Sequence, residues 1–338
     1  MTNRQTIHGG RLRRLALGIL ATGGIALVGA ACVPPDTGTP GTTETTESTV
    51  APTTSEAPTT TEAPTTTQAP TFTPAVSFSS ATDLAQTGST VTVTGSGFDP
   101  SLLTPAGTPA NQAVAGVYVA IGIGAGPVPT AYTSAKYVRP TGPSPETASG
   151  AKLNADGTFT ATISTPALFS AQNQVVNCYL DACKVFVWSA HTGTVPSWTF
   201  STPATFAAAT TKQVVVSKSS NLSRDGETIT VTGAGFAATS PGIYVGQVPW
   251  TEATAPAGWN LDAGQWGATK FLPYPSGLSA AGTFRTTIDA AAVIGSSGTD
   301  CGAAGNGCSI ATVKAHGQSD PTGSLTSWTP ITFPAPAV

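Results

Sequence analysis

The sequence predicts an all-β protein: two tandem β-sandwiches of Greek-key type behind a disordered, Thr/Pro-rich stalk. Three observations carry this expectation. Val and Thr alternate in short runs bounded by Gly and Pro, the period-two pattern of half-buried strands closed by turns. Charged residues make up only 9% of the chain and Met occurs once, so solvation rests on Thr, Ser, Asn and Gln, a surface that suits sheets better than helices. One phrase also occurs twice, as "GSTVTVTGSGF" at 88–98 and "GETITVTGAGF" at 226–236. Each copy is a strand that breaks at a Gly-x-Gly bulge or tight turn.

Residues 1–31 read as a secretory signal, because Arg4, Arg11, Arg13 and Arg14 precede the uncharged run from Leu15 to Ala31. That run is short and Gly-rich for a membrane span, so removal by a signal peptidase fits better. It ends in "LVGAAC", where small residues before Cys32 resemble a bacterial lipoprotein box, although Gly29 stands where a large aliphatic residue is usual. Ordinary cleavage after Ala30 or Ala31 is the alternative. The cysteine count supports lipidation: of five cysteines, Cys178 with Cys183 and Cys301 with Cys308 form close pairs, leaving Cys32 alone. At ~0.8 kcal/mol per buried methylene, two or more acyl chains hold a protein on a membrane. The two pairs are expected as disulfides, each closing a short loop worth roughly 2–2.5 kcal/mol. Zinc would need a second Cys or His pair beside each, and none is present.

Residues 32–75 are expected as the anchor cysteine followed by the stalk. The segment is Thr, Pro, Ala and Glu, with "EAPTT" at 56–60 and again at 62–66, and no apolar spacing that could build a core. Extended polyproline II rises ~3.1 Å per residue, so some 40 residues reach about 130 Å. O-glycosylation of such a stalk would stiffen it.

The echo continues past the opening phrase. "GVYVAIG" at 116–122 answers "GIYVGQV" at 242–248, and "LNADGTFTATI" at 153–163 answers "LSAAGTFRTTI" at 278–288. A Cys pair and a strand follow in both, and Ser-Trp-Thr closes both at 197–199 and 327–329. Two domains are therefore expected, at 76–206 and 212–338. Each holds about seven short strands between turn signals, the signature of an immunoglobulin-like Greek-key sandwich. Phe98 and Phe236, Phe159 and Phe284, and Trp198 and Trp328 take matching places and are expected to share core positions.

The second half resembles the neocarzinostatin family through "SSNLSRDGETITVTGAGF" at 219–236, "VGQVPW" at 245–250, "SAAGTFRTTI" at 279–288 and the Cys301–Cys308 hairpin. The first half resembles it more faintly. The resemblance implies an immunoglobulin-type sandwich that carries an enediyne chromophore in an aromatic cleft, with Trp250 at a cleft position. Two departures count against enediyne carriage. The family has a second disulfide beginning at the position of Val248, and it places Phe residues ahead of the second Cys pair, where "AAAVIGSSGTD" at 290–300 has no aromatic and the first half offers only Phe169.

Candidate binding residues concentrate at 249–274, where Trp250, Trp259, Trp266, Phe271 and Tyr274 share one long connection. Such a set either presents a binding surface or folds back as a satellite core. His191 and His316 occupy the same Ala-His place in the two halves, so each is either a haem or metal ligand or a hydrogen-bonding residue at a strand end. Neither a nucleophile signature nor a calcium loop occurs. The Gly-x-Gly turns lack the further Gly and the βαβ context of a dinucleotide site. With a net charge of −3 and no basic stripe, nucleic acid is not an expected partner. The expectation is a non-enzymatic protein without a cofactor, lipid-anchored in a bacterial envelope or secreted. Its modules would meet a surface protein, a glycan or a wall component; the alternative is a carrier of a hydrophobic small molecule.

Overall fold

The computed structural model describes residues 71–100, 116–190, 198–255 and 265–336, all within one compact unit. The stretches expected as signal sequence and stalk, with Cys32, lie outside the described residues up to residue 70. Among the described residues the named elements are all β-strands. In the first half, β1 (Ala75–Phe78), β2 (Val91–Ser96) and β6 (Phe159–Ile163) form a three-stranded antiparallel sheet in the order β1-β2-β6. It faces a five-stranded sheet made of β3 (Val117–Ile123), β4 (Ala131–Arg139), β5 (Gly150–Lys152), β9 (Cys183–Ser189) and β10 (Phe200–Pro203), in the order β10-β9-β3-β4-β5. A ribbon of β7 (Leu168–Ala171) and β8 (Gln174–Asn177) stands apart. β1 opens one residue inside the stretch expected as stalk.

The second half follows the same plan. β11 (Gln213–Val216), β12 (Glu227–Ala234) and β15 (Phe284–Ala290) make the small sheet. β13 (Gly242–Val248), β14 (Thr269–Pro273), β18 (Cys308–Lys314) and β19 (Ser327–Ile331) make the large one, in the order β14-β13-β18-β19. β16 (Val293–Ile294) and β17 (Thr299–Asp300) form its ribbon. This is the immunoglobulin-like sandwich, with strands that cross between sheets. Both disulfides are closed, Cys178–Cys183 after β8 and Cys301–Cys308 after β17. Such bonds persist in oxidising surroundings.

Strand alternation builds the cores. In β2, Val91 and Val93 are fully buried while Thr92 and Thr94, which alternate with them, point away. They join Phe98, Val119, Phe159, Val187 and Trp198 in one cluster. Ile229, Val231, Ile243, Val245, Phe284 and Ile310 belong to the other. Each such side chain contributes about 1.5–3 kcal/mol on burial.

The doubled phrase has a shared packing reason. Phe98 meets Phe159 edge-on at 5.2 Å, and Phe236 meets Phe284 edge-on at 5.3 Å. A Cβ on Gly95 would lie 2.0 Å from the Phe159 ring, and one on Gly233 would lie 2.3 Å from the Phe284 ring. The second Gly of each motif has positive φ, +67° at Gly97 and +78° at Gly235, and its missing Cβ leaves room for Thr73 O or Thr211 O. The first Gly seats a ring and the second turns the chain.

The matching tryptophans do not share a place. β10 pairs Phe200 with Val187, and β19 pairs Ser327 with Thr312, stations equally far from Cys183 and Cys308. Trp198 lies two residues before its station and Trp328 one residue after. An odd slip inverts the face, so Trp198 is buried against Phe98 at 5.3 Å while Trp328 is half-buried outside the core.

The two halves meet along a seam. Ribbon β7–β8 and the loop closed by Cys178–Cys183 lie on the small sheet of the second half. Asn177, fully buried, donates through Nδ2 to Thr232 Oγ1 at 2.9 Å and Gly233 O at 3.2 Å. Arg285 grips Asp181 with two bonds of 2.9 and 2.5 Å. Gln86 donates to Thr211 O at 2.6 Å, and its Oε1 accepts from the N–H groups of Thr210 and Thr211, each at 3.1 Å. Ala167, Leu168 and Ala234 fill the apolar centre.

Candidate functional site

The outer faces of the two large sheets carry what the cores do not use. In β13, Ile243 and Val245 point into the core, so Tyr244, Gly246 and Val248 point out. Trp266 lies on that outer face, where a Cβ on Gly246 would stand 2.6 Å from its ring. Val248, Trp266 and Ala311 form a small cluster joined by half-buried Trp250, Val313 and Trp328. Further along the face, the Tyr244 ring lies 5.2 Å from Phe271, and His316 lies 4.8 Å from Phe271. The residues expected as one binding set are thus divided. Trp250 and Trp266 cover one end of the sheet with Trp328. Phe271, 39% exposed, sits at the other end. Tyr274 follows β14, its N–H donating to Pro241 O at 3.2 Å. Trp259 lies outside the described residues.

The first half carries a further ring cluster, which is not among the candidate binding residues. Tyr118 stands 5.1 Å from Tyr137 and 5.5 Å from Trp188, and Tyr132 stands 5.1 Å from Trp188. Phe186 and Trp188 are buried on this face with Ala120. The signal was present in "KVFVWS", where Val185 and Val187 take the core and Phe186 and Trp188 the opposite side; a strand apolar on both faces is covered on both. Cations border the rings: Arg139 stacks over Tyr137 at 4.9 Å, and Lys184 stands 6.0 Å from the centre of Phe186. Burial, reinforced by Tyr132, pushes the Tyr118 hydroxyl above its ordinary pKa against the pull of Arg139. It stays neutral at physiological pH.

His316 is exposed with φ of +60°, its Nδ1 3.4 Å from the Tyr244 hydroxyl; His191 lies outside the described residues. Among the described residues no three His, Cys, Asp or Glu side chains gather as a metal site would need. Several carboxylates are held in their charged form by their neighbours. Hydrogen bonds from Lys218 and Arg224 lower the pKa of Glu227 and Asp300 respectively. Burial pushes Glu146 and Asp181 upward, but hydrogen bonds from Thr162 and Lys136, and from Arg285, outweigh it and leave both lowered. A general acid needs the opposite shift.

No protein-family model matches the chain, and no curated protein matches it. Among solved structures it is similar to the adhesin InvE of Yersinia pseudotuberculosis, at 13% identity over 78% of this chain and 59% of that one, with a TM-score of 0.22. It is also similar to a mutant Salmonella alpha-2-macroglobulin at 12% identity, covering 79% of this chain and 15% of that one, TM-score 0.19. A marsupial T cell receptor matches at 13% identity, 78% and 75% coverage, TM-score 0.18. The chain spans about three-fifths of the adhesin's length.

Proposed function

We propose that this is a non-enzymatic surface protein that presents two neocarzinostatin-like sandwiches, products of tandem duplication, as binding modules on a Thr/Pro-rich stalk lipidated at Cys32. Its partner is a surface protein, a glycan or a wall component. The observation that supports this reading is the aromatic outer face of each large sheet. The outer side of an antiparallel sheet is ordinarily polar; here half-exposed Tyr118, Tyr132 and Tyr137 border one face and Trp250, Trp328 and Phe271 the other. Amphipathic rings of this kind dominate binding surfaces. A stalk reaching about 130 Å when extended would lift these faces well clear of a membrane.

A second reading, carriage of a hydrophobic small molecule, is favoured by the gathering of Trp250, Trp266 and Trp328 in one outer-face cluster, with Trp266 seated over Gly246. Native mass spectrometry of the exported protein separates the two. A reproducible extra mass lost on denaturation makes the protein a carrier. A bare polypeptide that binds isolated envelope, and binds it less when Trp250→Ala or Tyr118→Ala is introduced, supports the surface reading. Bare mass with no envelope binding defeats both. Anchoring is tested apart, since Cys32→Ala should release the protein to the medium.

A further inference from the structure

The segment from 131 to 152 bears Lys136, Arg139 and Lys152 against one carboxylate, Glu146, in a chain whose net charge is −3. That carboxylate is already engaged. It accepts from Lys136 Nζ and from the Thr162 N–H, each at 3.0 Å, and from the Thr162 hydroxyl. Lys136 is only 4% exposed and its charge is met by the partly exposed Glu146 carboxylate, so the two are neutral as a unit. Arg139 and Lys152 remain, and neither has an ion-pair partner among the described residues.

Arg139 borders a cavity of about 540 Å³ lined also by Tyr137, Thr141, Thr147 and Ser149. Its guanidinium is oriented by stacking on Tyr137. Its Nε is buried with no hydrogen bond among the described residues, a donor that ordinarily finds an acceptor. The walls are fixed by main-chain bonds: Tyr137 N–H to Ser149 O at 2.9 Å, Thr147 N–H to Gly150 O at 2.8 Å, and Leu153 N–H to Arg139 O at 2.9 Å. A second cavity, bordered by Glu146, Lys152 and Asn154, adjoins it through Pro143. All of this belongs to the connection into β5, the strand with no counterpart in the large sheet of the second half among the described residues. Added loops on a rigid sandwich are where binding residues concentrate.

A guanidinium without a carboxylate suits a carboxylate or phosphate, which it holds through two parallel bonds. Hydroxyls that both donate and accept suit ligand hydroxyls, and the volume is that of a small-molecule site. We propose that the β4–β5 cavity of the first sandwich binds an anionic, polyhydroxylated ligand, a sugar bearing a carboxylate or phosphate. Arg139 holds the anionic group, and Thr147 and Ser149 hold the hydroxyls. This site shares Tyr137 with the edge of the first aromatic face, but it stands on Arg139 and the hydroxyls and does not depend on that face's role.

The test is calorimetric titration of the full exported chain with glucuronate, glucose 6-phosphate, glucose and inorganic phosphate. The expected result is binding of glucuronate or glucose 6-phosphate, with the stronger of the two naming the anionic group. Glucose and inorganic phosphate should each bind at least tenfold more weakly than that ligand. Arg139→Gln should weaken it at least tenfold, Ser149→Ala several-fold, and Thr147→Trp should block the cavity without touching the arginine. Trp250→Ala should leave this binding unchanged, which keeps its failure separate from failure of the surface reading. The proposal is overturned if neither sugar binds at 10 mM, if glucose or phosphate alone binds as tightly, or if folded Arg139→Gln binds normally.

Discussion

Arg285 and Asp181 join the two halves of the molecule, guanidinium to carboxylate through two bonds of 2.9 and 2.5 Å. Asp181 sits in the loop that Cys178–Cys183 closes, and Arg285 on β15 of the opposite sandwich. The pair borders buried Asn177, so a polar clamp flanks the apolar centre of the seam.

The first prediction concerns this clamp. Asp181 titrates below its unfolded value of about 3.9, so its contribution is complete at neutral pH and is lost as pH falls through the folded pKa. With Arg285 about a third exposed, solvent limits the contribution to about 1 kcal/mol. Asp181→Asn should therefore raise amide exchange in β8 and its loop at pH 7. In the wild type the same increase should emerge only below about pH 4. Equal exchange in the two proteins at pH 7 would show that the pair does not hold the seam.

The Gly-x-Gly motifs make a second prediction. Gly97→Ala adds a Cβ 2.1 Å from Thr73 O at positive φ, with backbone on both sides of the clash, and should cost about 2–3 kcal/mol. Gly95→Ala strikes a side chain instead, the Phe159 ring, at an overpacking cost of about 1–3 kcal/mol. Adding Phe159→Leu should recover part of the Gly95→Ala loss and none of the Gly97→Ala loss. Denaturant midpoints of the four variants decide it.

Much of the architecture is legible because local chemistry and fold agree. Alternating Val and Thr place β2 and β12, the close Cys pairs close their loops, and Gly-x-Gly-Phe seats a ring in each half. The seam is not legible, because Gln86, Asn177 and Asp181 read as scattered polar residues until folding brings them to Thr211, Thr232 and Arg285. Rings on the outer sheets are half-legible. The cluster at 249–274 is conspicuous as a loop composition, whereas Phe186 and Trp188 sit inside a strand whose apolar alternation reads as core. β5 and its cavity are hidden by Pro140, Pro143 and Pro145, which read as turns alone.

The inverted tryptophans give a third prediction. Trp198 is buried among core rings, so Trp198→Ala should cost about 3–5 kcal/mol. Trp328 lies half-buried on the outer face, and Trp328→Ala should cost less than half as much. Urea unfolding measures both, and equal losses would place the two indoles in equivalent environments, contrary to the strand register.

The two disulfides, alike in sequence, should differ in what their loss releases. Cys178–Cys183 closes the loop that presents Asn177 and Asp181 to the second half. Cys301–Cys308 works inside its own sandwich, where fully buried Gln247 reaches Cys301 Sγ at 3.4 Å and Ala291 O at 2.8 Å. Each loop closure contributes roughly 2–2.5 kcal/mol against the unfolded chain. Replacing Cys178 and Cys183 by Ser should therefore loosen the seam, with increased exchange in β8, β11 and β12, as well as lower the stability of the first half. Replacing Cys301 and Cys308 should lower the stability of the second half and leave exchange in β8 as it was. Hydrogen exchange read strand by strand distinguishes these outcomes, and identical patterns for the two double variants would show that the first loop has no special part in joining the halves.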